Sequence, residues 1–194
     1  MNKRLIVIIT VMGILTFMLL FYFRPVLAIS NGEIDDGRHP NVGALFLELK
    51  GTNIRFPRCS GVLIESDVFL TAGHCFFPAE YMESCNLLVT FDSPLDPIDG
   101  DFIEVTEFFI DPDLNHNMGD SHDLAVVILP DGSTEGISPA KLPTVNQLDK
   151  IFRNRDLFDN NFINVGYGRV PEWKNGPMRF LPPDGYRRMS KSPL

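Results

Sequence analysis

Apolar residues along this chain come in short runs, each bounded by turn-forming residues. Val42-Gly43-Ala44-Leu45-Phe46-Leu47-Glu48-Leu49 is nearly all apolar, which predicts a strand buried on both faces. Ser60 to Glu65 and Val68 to Thr71 are shorter runs parted by Ser66-Asp67, and they predict a hairpin. Asn86 to Phe91 predicts another strand, followed by a loop at Asp92-Ser93-Pro94-Leu95-Asp96-Pro97. Ile103, Val105 and Phe109 give an alternating pattern across Phe102 to Ile110, and Leu124 to Leu129 closes the group. Short strands this closely spaced predict an all-β unit, a small closed antiparallel barrel or a sandwich.

The intervening segments read as turns and loops. Gly51-Thr52-Asn53 is a turn, and Ala72 to Phe76 allows one helical turn stopped by Pro78. Asp111 to His122 is a polar loop; the spacing of His116, Asp120 and His122 fits no standard zinc pattern, so no metal is expected there. Glu33, Asp35 and Asp36 read as a solvated turn, and Phe108-Phe109 as core packing. Pro130 to Asp159 is punctuated by prolines, with one short helix expected over Thr144 to Lys150. A new strand is predicted over Phe162 to Gly168. Beyond it little is periodic, and Pro182-Pro183-Asp184-Gly185 and Ser190 to Leu194 read as loop.

The first 28 residues stand apart. Lys3 and Arg4 precede an uncharged apolar run from Leu5 to Phe23, and Pro25-Val26-Leu27-Ala28 ends in a small-residue cleavage pattern. Val26 and Ala28 favour a cleaved signal peptide, while the 19 residues of the run are long enough for an uncleaved anchor. Either way, everything after Ala28 is expected outside the cytoplasm, in a secreted or extracytoplasmic location. The domain layout expected is therefore 1–28 signal peptide, 29–130 first β-barrel, 131–161 linker and 162–194 the start of a second barrel.

Charge narrows the partners. The net charge is -8, and removal of Lys3, Arg4 and Arg24 gives -8 - 3 = -11. No lysine- or arginine-rich stripe is present, and Arg187-Arg188 is too small a patch to serve as one. An acidic surface of this kind excludes a nucleic-acid partner. A membrane partner is expected only if residues 5–23 are retained. No cofactor is expected.

Three cysteines follow the signal: Cys59, Cys75 and Cys85. Outside the cytoplasm disulfides persist. A Cys59–Cys75 bridge would close a loop of about 15 residues and contribute roughly 3 kcal/mol in the chain-entropy model. Cys85 is then odd: free, paired to another molecule, or paired to a cysteine beyond Leu194.

The candidate chemistry lies in two places. Leu70-Thr71-Ala72-Gly73-His74-Cys75 puts a histidine at a strand edge, and His122-Asp123 precedes the run Leu124 to Leu129. A histidine and then an aspartate at strand edges are two members of an acyl-transfer triad in the order His, Asp, Ser. An imidazole titrates near neutrality, so it can take a proton from a hydroxyl and return it to a leaving amine.

Four motifs in order, Cys59-Ser60-Gly61-Val62-Leu63-Ile64, Thr71-Ala72-Gly73-His74-Cys75, Asp123-Leu124-Ala125-Val126-Val127-Ile128-Leu129 and Val165-Gly166-Tyr167-Gly168, resemble the chymotrypsin/trypsin-like serine endopeptidases. The resemblance covers Ile29 to about Gly168. It implies a trypsin-like double antiparallel β-barrel, with the first barrel complete and the second only begun. It implies His74 as general base, a buried Asp123 carboxylate orienting it, and a disulfide between Cys59 and Cys75 bracing the histidine loop. Ile29-Ser30-Asn31-Gly32 is similar to the family's activated N-terminus, so Ile29 is expected as the mature N-terminus, freed by signal removal alone. The substrate implied is a protein or peptide.

The departure from the family is its nucleophile. A Gly-Asp-Ser-Gly-Gly segment is expected several dozen residues after the Gly-Tyr-Gly strand, and only 26 residues follow Gly168 here. Ser190 and Ser192 lie in a context without glycines to build an oxyanion hole. The expectation is a secreted serine endopeptidase whose His and Asp are in this sequence and whose Ser is not. The alternative is a non-catalytic protease homologue acting as a binding module.

Overall fold

A computed structural model of the protein describes residues 32–115, 120–153, 162–168, 170–172, 179–181 and 184–192. The expected signal peptide, Ile29 and His116 lie outside these residues. The described part is antiparallel β with few helices, in the element order β1 (Glu33–Ile34), β2 (Val42–Leu49), β3 (Arg55–Leu63), β4 (Val68–Thr71), a 3-10 turn (Gly73–Phe76), α1 (Ala79–Ser84), β5 (Cys85–Thr90), β6 (Ile103–Glu104), β7 (Glu107–Ile110), β8 (Ala125–Ile128), α2 (Gln147–Arg153), β9 (Phe162–Gly166), β10 (Val170–Glu172), β11 (Arg179–Leu181) and β12 (Arg188–Ser192).

Seven strands form one sheet in the order β6-β5-β2-β3-β4-β8-β7. Its two edge strands are consecutive in sequence, and the residues between them join the edges. Val105 N–H donates to Leu87 O at 3.0 Å, and Thr106 N–H donates to Ile128 O at 3.0 Å. The sheet thus curls until one short corner ties β5 to β8, which removes the open edges that invite aggregation. The single alternating strand expected over Phe102 to Ile110 is instead two strands on opposite edges, because the corner falls at Val105-Thr106.

β2 shows why its sequence is apolar at nearly every position. Leu45 and Leu47 point into a core with Leu63, Phe69, Phe76, Val89, Val127 and Leu129. Their neighbours Ala44 and Phe46 point the other way, into a second cluster with Leu88 and Tyr167. Phe102 closes that outer cluster with its ring edge-on to Phe46 at 5.0 Å. Alternate residues of one strand therefore serve two cores.

β3 starts five residues earlier than expected. Pro57 discourages a strand reading because it cannot donate to a ladder. The register resolves this with a bulge: Leu45 pairs with Cys59 and Phe46 with Pro57, leaving Arg58 as the extra residue. The helical turn expected over Ala72 to Phe76 is the 3-10 turn Gly73–Phe76, which ends before Pro78, and a separate helix, α1, begins directly after that proline, where its missing N–H costs nothing. The helix expected over Thr144 to Lys150 lies at Gln147–Arg153, with the Gln147 side chain accepting from Thr144 N–H at 2.9 Å.

A three-stranded sheet in the order β1-β12-β9 stands beside the barrel. β12 corrects the loop reading of Ser190 onward: Arg188 to Ser192 pairs antiparallel with Gly166 to Phe162. Its mixed sequence shows little alternation, and the strand is imposed by partners on both sides. Glu33 and Ile34 pair with the other side of β12. The supposed solvated turn at Asp35 is also corrected, since Asp35 is fully buried. Phe108 and Phe109 are 37% and 56% exposed rather than core, although Phe108 stacks on Phe76 at 4.7 Å.

Candidate active site

His74 sits in the 3-10 turn that follows β4, and Asp123 stands two residues before the start of β8, which pairs with β4. The ladder pairs Thr71 with Ala125, so the residues that leave the two strands stay close. Gly73 permits the approach. A Cβ there would stand 2.7 Å from Leu114 Cδ2 and 3.2 Å from the backbone oxygen of Leu124.

The two side chains meet at two points. His74 Nδ1 lies 2.7 Å from Asp123 Oδ2, and His74 backbone N–H donates to Asp123 Oδ1 at 2.8 Å. A carboxylate only accepts, so the imidazole proton belongs on Nδ1 and the lone pair of the neutral ring on Nε2. The hydrogen bond from the His74 ring, joined by that from its backbone N–H, holds the Asp123 carboxyl below the ordinary carboxylate range. The Asp123 side chain is 32% exposed, against the expectation of a buried carboxylate, and that of His74 is 63% exposed. The base-bearing edge of the imidazole is open to an incoming group.

The histidine turn is fixed from below. Cys59 and Cys75 form a disulfide with their Cα atoms 6.2 Å apart. Thr71 Oγ1 donates to Ser60 O at 2.9 Å, and Arg58 Nε donates to Cys75 O at 3.0 Å. Arg58 also donates to Phe77 O. Cys85 is a free thiol in the barrel core, 6% exposed.

Ser190 does not join this site. It lies within β12 opposite Asn164, and its hydroxyl is buried. Ser192 is the end of the same strand.

Among the described residues, two clusters bring metal-ligating types together. Cys59, His74 and Cys75 form one, but both of its sulfurs are consumed in the disulfide. Asp111, Asp113 and His122 form the other, with ligand atoms within 4.8 Å of one another. Within it His122 Nδ1 contacts Asp111 Oδ2 at 3.1 Å. That bond raises the His122 imidazole above its usual value. The Asp113 backbone N–H and then His122 lower Asp111.

A buried polar group escaped the sequence reading altogether. Arg187 Nε donates to Asp35 Oδ2 at 3.0 Å, with the two side chains 4% and 0% exposed. Arg187 Nη1 donates to Val42 O at 3.0 Å, Phe91 O at 3.2 Å and Tyr167 Oη at 3.3 Å. His39 contacts the other Asp35 oxygen through its ring. Burial would raise the Asp35 carboxyl, but hydrogen bonds from His39 and Arg187 outweigh it and hold the group low. Burial pushes the Tyr167 hydroxyl up to about 12. No local signal announces this network, because Asp35 and Arg187 are 152 positions apart.

Residues 31–175 match the family model described as Trypsin. Among solved structures, an HL collagenase is 17% identical with a TM-score of 0.53, over 85% of this chain and 62% of its own. The protein GrC is 18% identical with a TM-score of 0.52, over 82% of this chain and 62% of its own. The chain thus spans less than two thirds of the length of either structure. At these identities the likeness establishes the fold. Among curated proteins, none matches the chain.

Proposed function

The chain belongs to the trypsin family, and from that premise we propose that it is the His- and Asp-bearing part of a secreted serine endopeptidase that cleaves protein or peptide substrates through an acyl-enzyme. The observation that carries this reading is the two-point contact between His74 and Asp123. Asp123 fixes the tautomer that leaves Nε2 free to accept a proton and stabilises the imidazolium that follows. His74 would take that proton from a serine hydroxyl and return it to the leaving amine. The serine is not among the 194 residues, and the buried hydroxyl of Ser190 cannot serve.

In this reading residues 1–28 are a signal peptide and Ile29 is the mature N-terminus. Residues 29–130 form the first barrel, 131–161 the linker and 162–194 the opening of the second. Among the described residues no helix is long and apolar enough to cross a membrane. The Cys59–Cys75 bridge suits an oxidising compartment.

A second reading is a non-catalytic homologue that binds polypeptides. One experiment separates the two: cleavage of a fluorogenic peptide mixture by the protein secreted from its complete coding sequence, with His74→Ala and Asp123→Asn alongside. Turnover lost in both variants carries the endopeptidase. Peptide binding without turnover replaces it with the binding module.

A further inference from the structure

The cluster of Cys59, His74 and Cys75 is closed to a metal ion only while the bridge stands. Opening the bridge returns two thiols beside an imidazole, and the three ligand atoms already lie within 4.8 Å of one another. A tetrahedral ion with sulfur at about 2.3 Å and nitrogen at about 2.0–2.1 Å sets its ligand atoms roughly 3.5–3.8 Å apart. Rotation about the Cα–Cβ bonds of the two cysteines covers the difference and leaves the backbone where it is.

That backbone is held by bonds in which sulfur takes no part. Cys59 pairs with Leu45 in the ladder between β2 and β3. Cys75 N–H donates to Ala72 O at 3.3 Å, and Cys75 O accepts from Arg58 Nε at 3.0 Å. Thr71 Oγ1 ties the entry to the turn to Ser60 O at 2.9 Å, and His74 N–H is held by Asp123 Oδ1 at 2.8 Å. The fold, rather than the bridge alone, keeps the three ligands together.

The ligand set selects the ion. Two thiolates and one imidazole suit zinc, and three protein ligands leave the fourth position to water. Cys85 does not belong to the cluster; it lies in the barrel core, 6% exposed.

We propose that reduction of the Cys59–Cys75 bridge converts the histidine turn into a zinc site made of two thiolates and the His74 imidazole, so that metal and bridge exclude each other. The site rests on the cluster alone, whereas its power to silence a protease rests on the endopeptidase reading. The reductant is a dithiol. Cys59 lines a cavity while Cys75 is 1% exposed, so the attacking thiolate meets the Cys59 sulfur and the Cys75 sulfur leaves as a thiolate. The second thiol of the reductant then displaces Cys59 and closes the reductant's own disulfide. Two electrons have passed to the bridge, and zinc takes the place of the protons on the two cysteines. Whichever ring nitrogen it binds, His74 stops being a base. Zinc on Nε2 takes the lone pair itself, and zinc on Nδ1 displaces the Asp123 bond and leaves the proton on Nε2.

The test is cobalt binding to the full chain, before and after reduction with a phosphine that is then removed without oxygen. Cobalt enters zinc sites and reports thiolate ligands through its charge-transfer and ligand-field absorption. The reduced chain is expected to take up one equivalent with these bands and to yield it to zinc, and the bridged chain to show none. His74→Ala is expected to weaken zinc binding roughly 100-fold, the upper end of what losing a supporting group costs a metal site. Cys85→Ser is expected to leave binding unchanged. Equal bands in the bridged chain, none in the reduced chain, full affinity in His74→Ala, a loss in Cys85→Ser, or collapse of the β spectrum on reduction would each overturn the proposal. Peptide turnover, where it is found, should be stopped by zinc in the reduced protein only and restored by a chelator. Absence of all turnover bears on the endopeptidase reading and leaves the metal result as it stands.

Discussion

Asp123 holds His74 by two atoms at once, the ring Nδ1 at 2.7 Å and the backbone N–H at 2.8 Å. The backbone bond fixes where the histidine sits, and the ring bond fixes which nitrogen carries the proton. An asparagine could keep the first and would spoil the second by offering an N–H to Nδ1. If the proposed endopeptidase activity is found, Asp123→Asn is expected to lower kcat on the order of 10⁴-fold while leaving Tm nearly unchanged. A loss below tenfold would show that Asp123 is not the orienting group.

Proton NMR of the His122 ring checks the neighbouring loop. Its hydrogen bond to Asp111 raises its pKa above 6.5. A group raised on folding contributes stability that is complete below its unfolded value and lost as pH rises through the folded one. The His122 midpoint should therefore lie above 6.5, and Asp111→Asn should bring it down. An unchanged midpoint in that variant would remove the Asp111 pairing from the account.

Reduction of the Cys59–Cys75 bridge tests the brace under the histidine turn. The bridged residues are 16 positions apart. Replacing both with alanine is expected to cost about 3 kcal/mol in chemical denaturation. The barrel should keep its far-UV spectrum, since β2 pairs with β3 through six further residue pairs besides Leu45–Cys59.

Asp35 and Arg187 should behave as a unit. Breaking a buried pair by removing one partner costs about 3–5 kcal/mol, since the other charge stays buried alone. Asp35→Asn and Arg187→Leu are each expected to destabilise by that order. The double variant should lose much less than the sum of the two. Additive losses in a denaturation cycle would show that the two side chains do not depend on each other.

Much of the barrel and the pairing of His74 with Asp123 was legible because both rest on local signals. Val42–Leu49 and Val68–Thr71 are found where their apolar runs stand. The histidine and aspartate each flank such a run. What was not legible depends on partners distant in sequence. Arg188–Ser192 is a strand because β9 and β1 flank it, and Asp35 is buried because Arg187 meets it. Pro57 hid the first half of β3, since a bulge cannot be read from one strand without its mate. Phe108-Phe109 misled for the opposite reason: an aromatic pair on an edge strand carries the same letters as one in a core.

β1 has one ladder neighbour, β12, and the carboxylate that follows it has its cation in the residue before that same strand. During synthesis the segment 33–39 is made some 150 residues before β12 and Arg187, onto which it docks. The first-made strand is thus the last to be seated. Until Arg187 emerges, the front of the molecule is a free tether, and its docking marks the moment at which the whole length of the described chain has been accounted for.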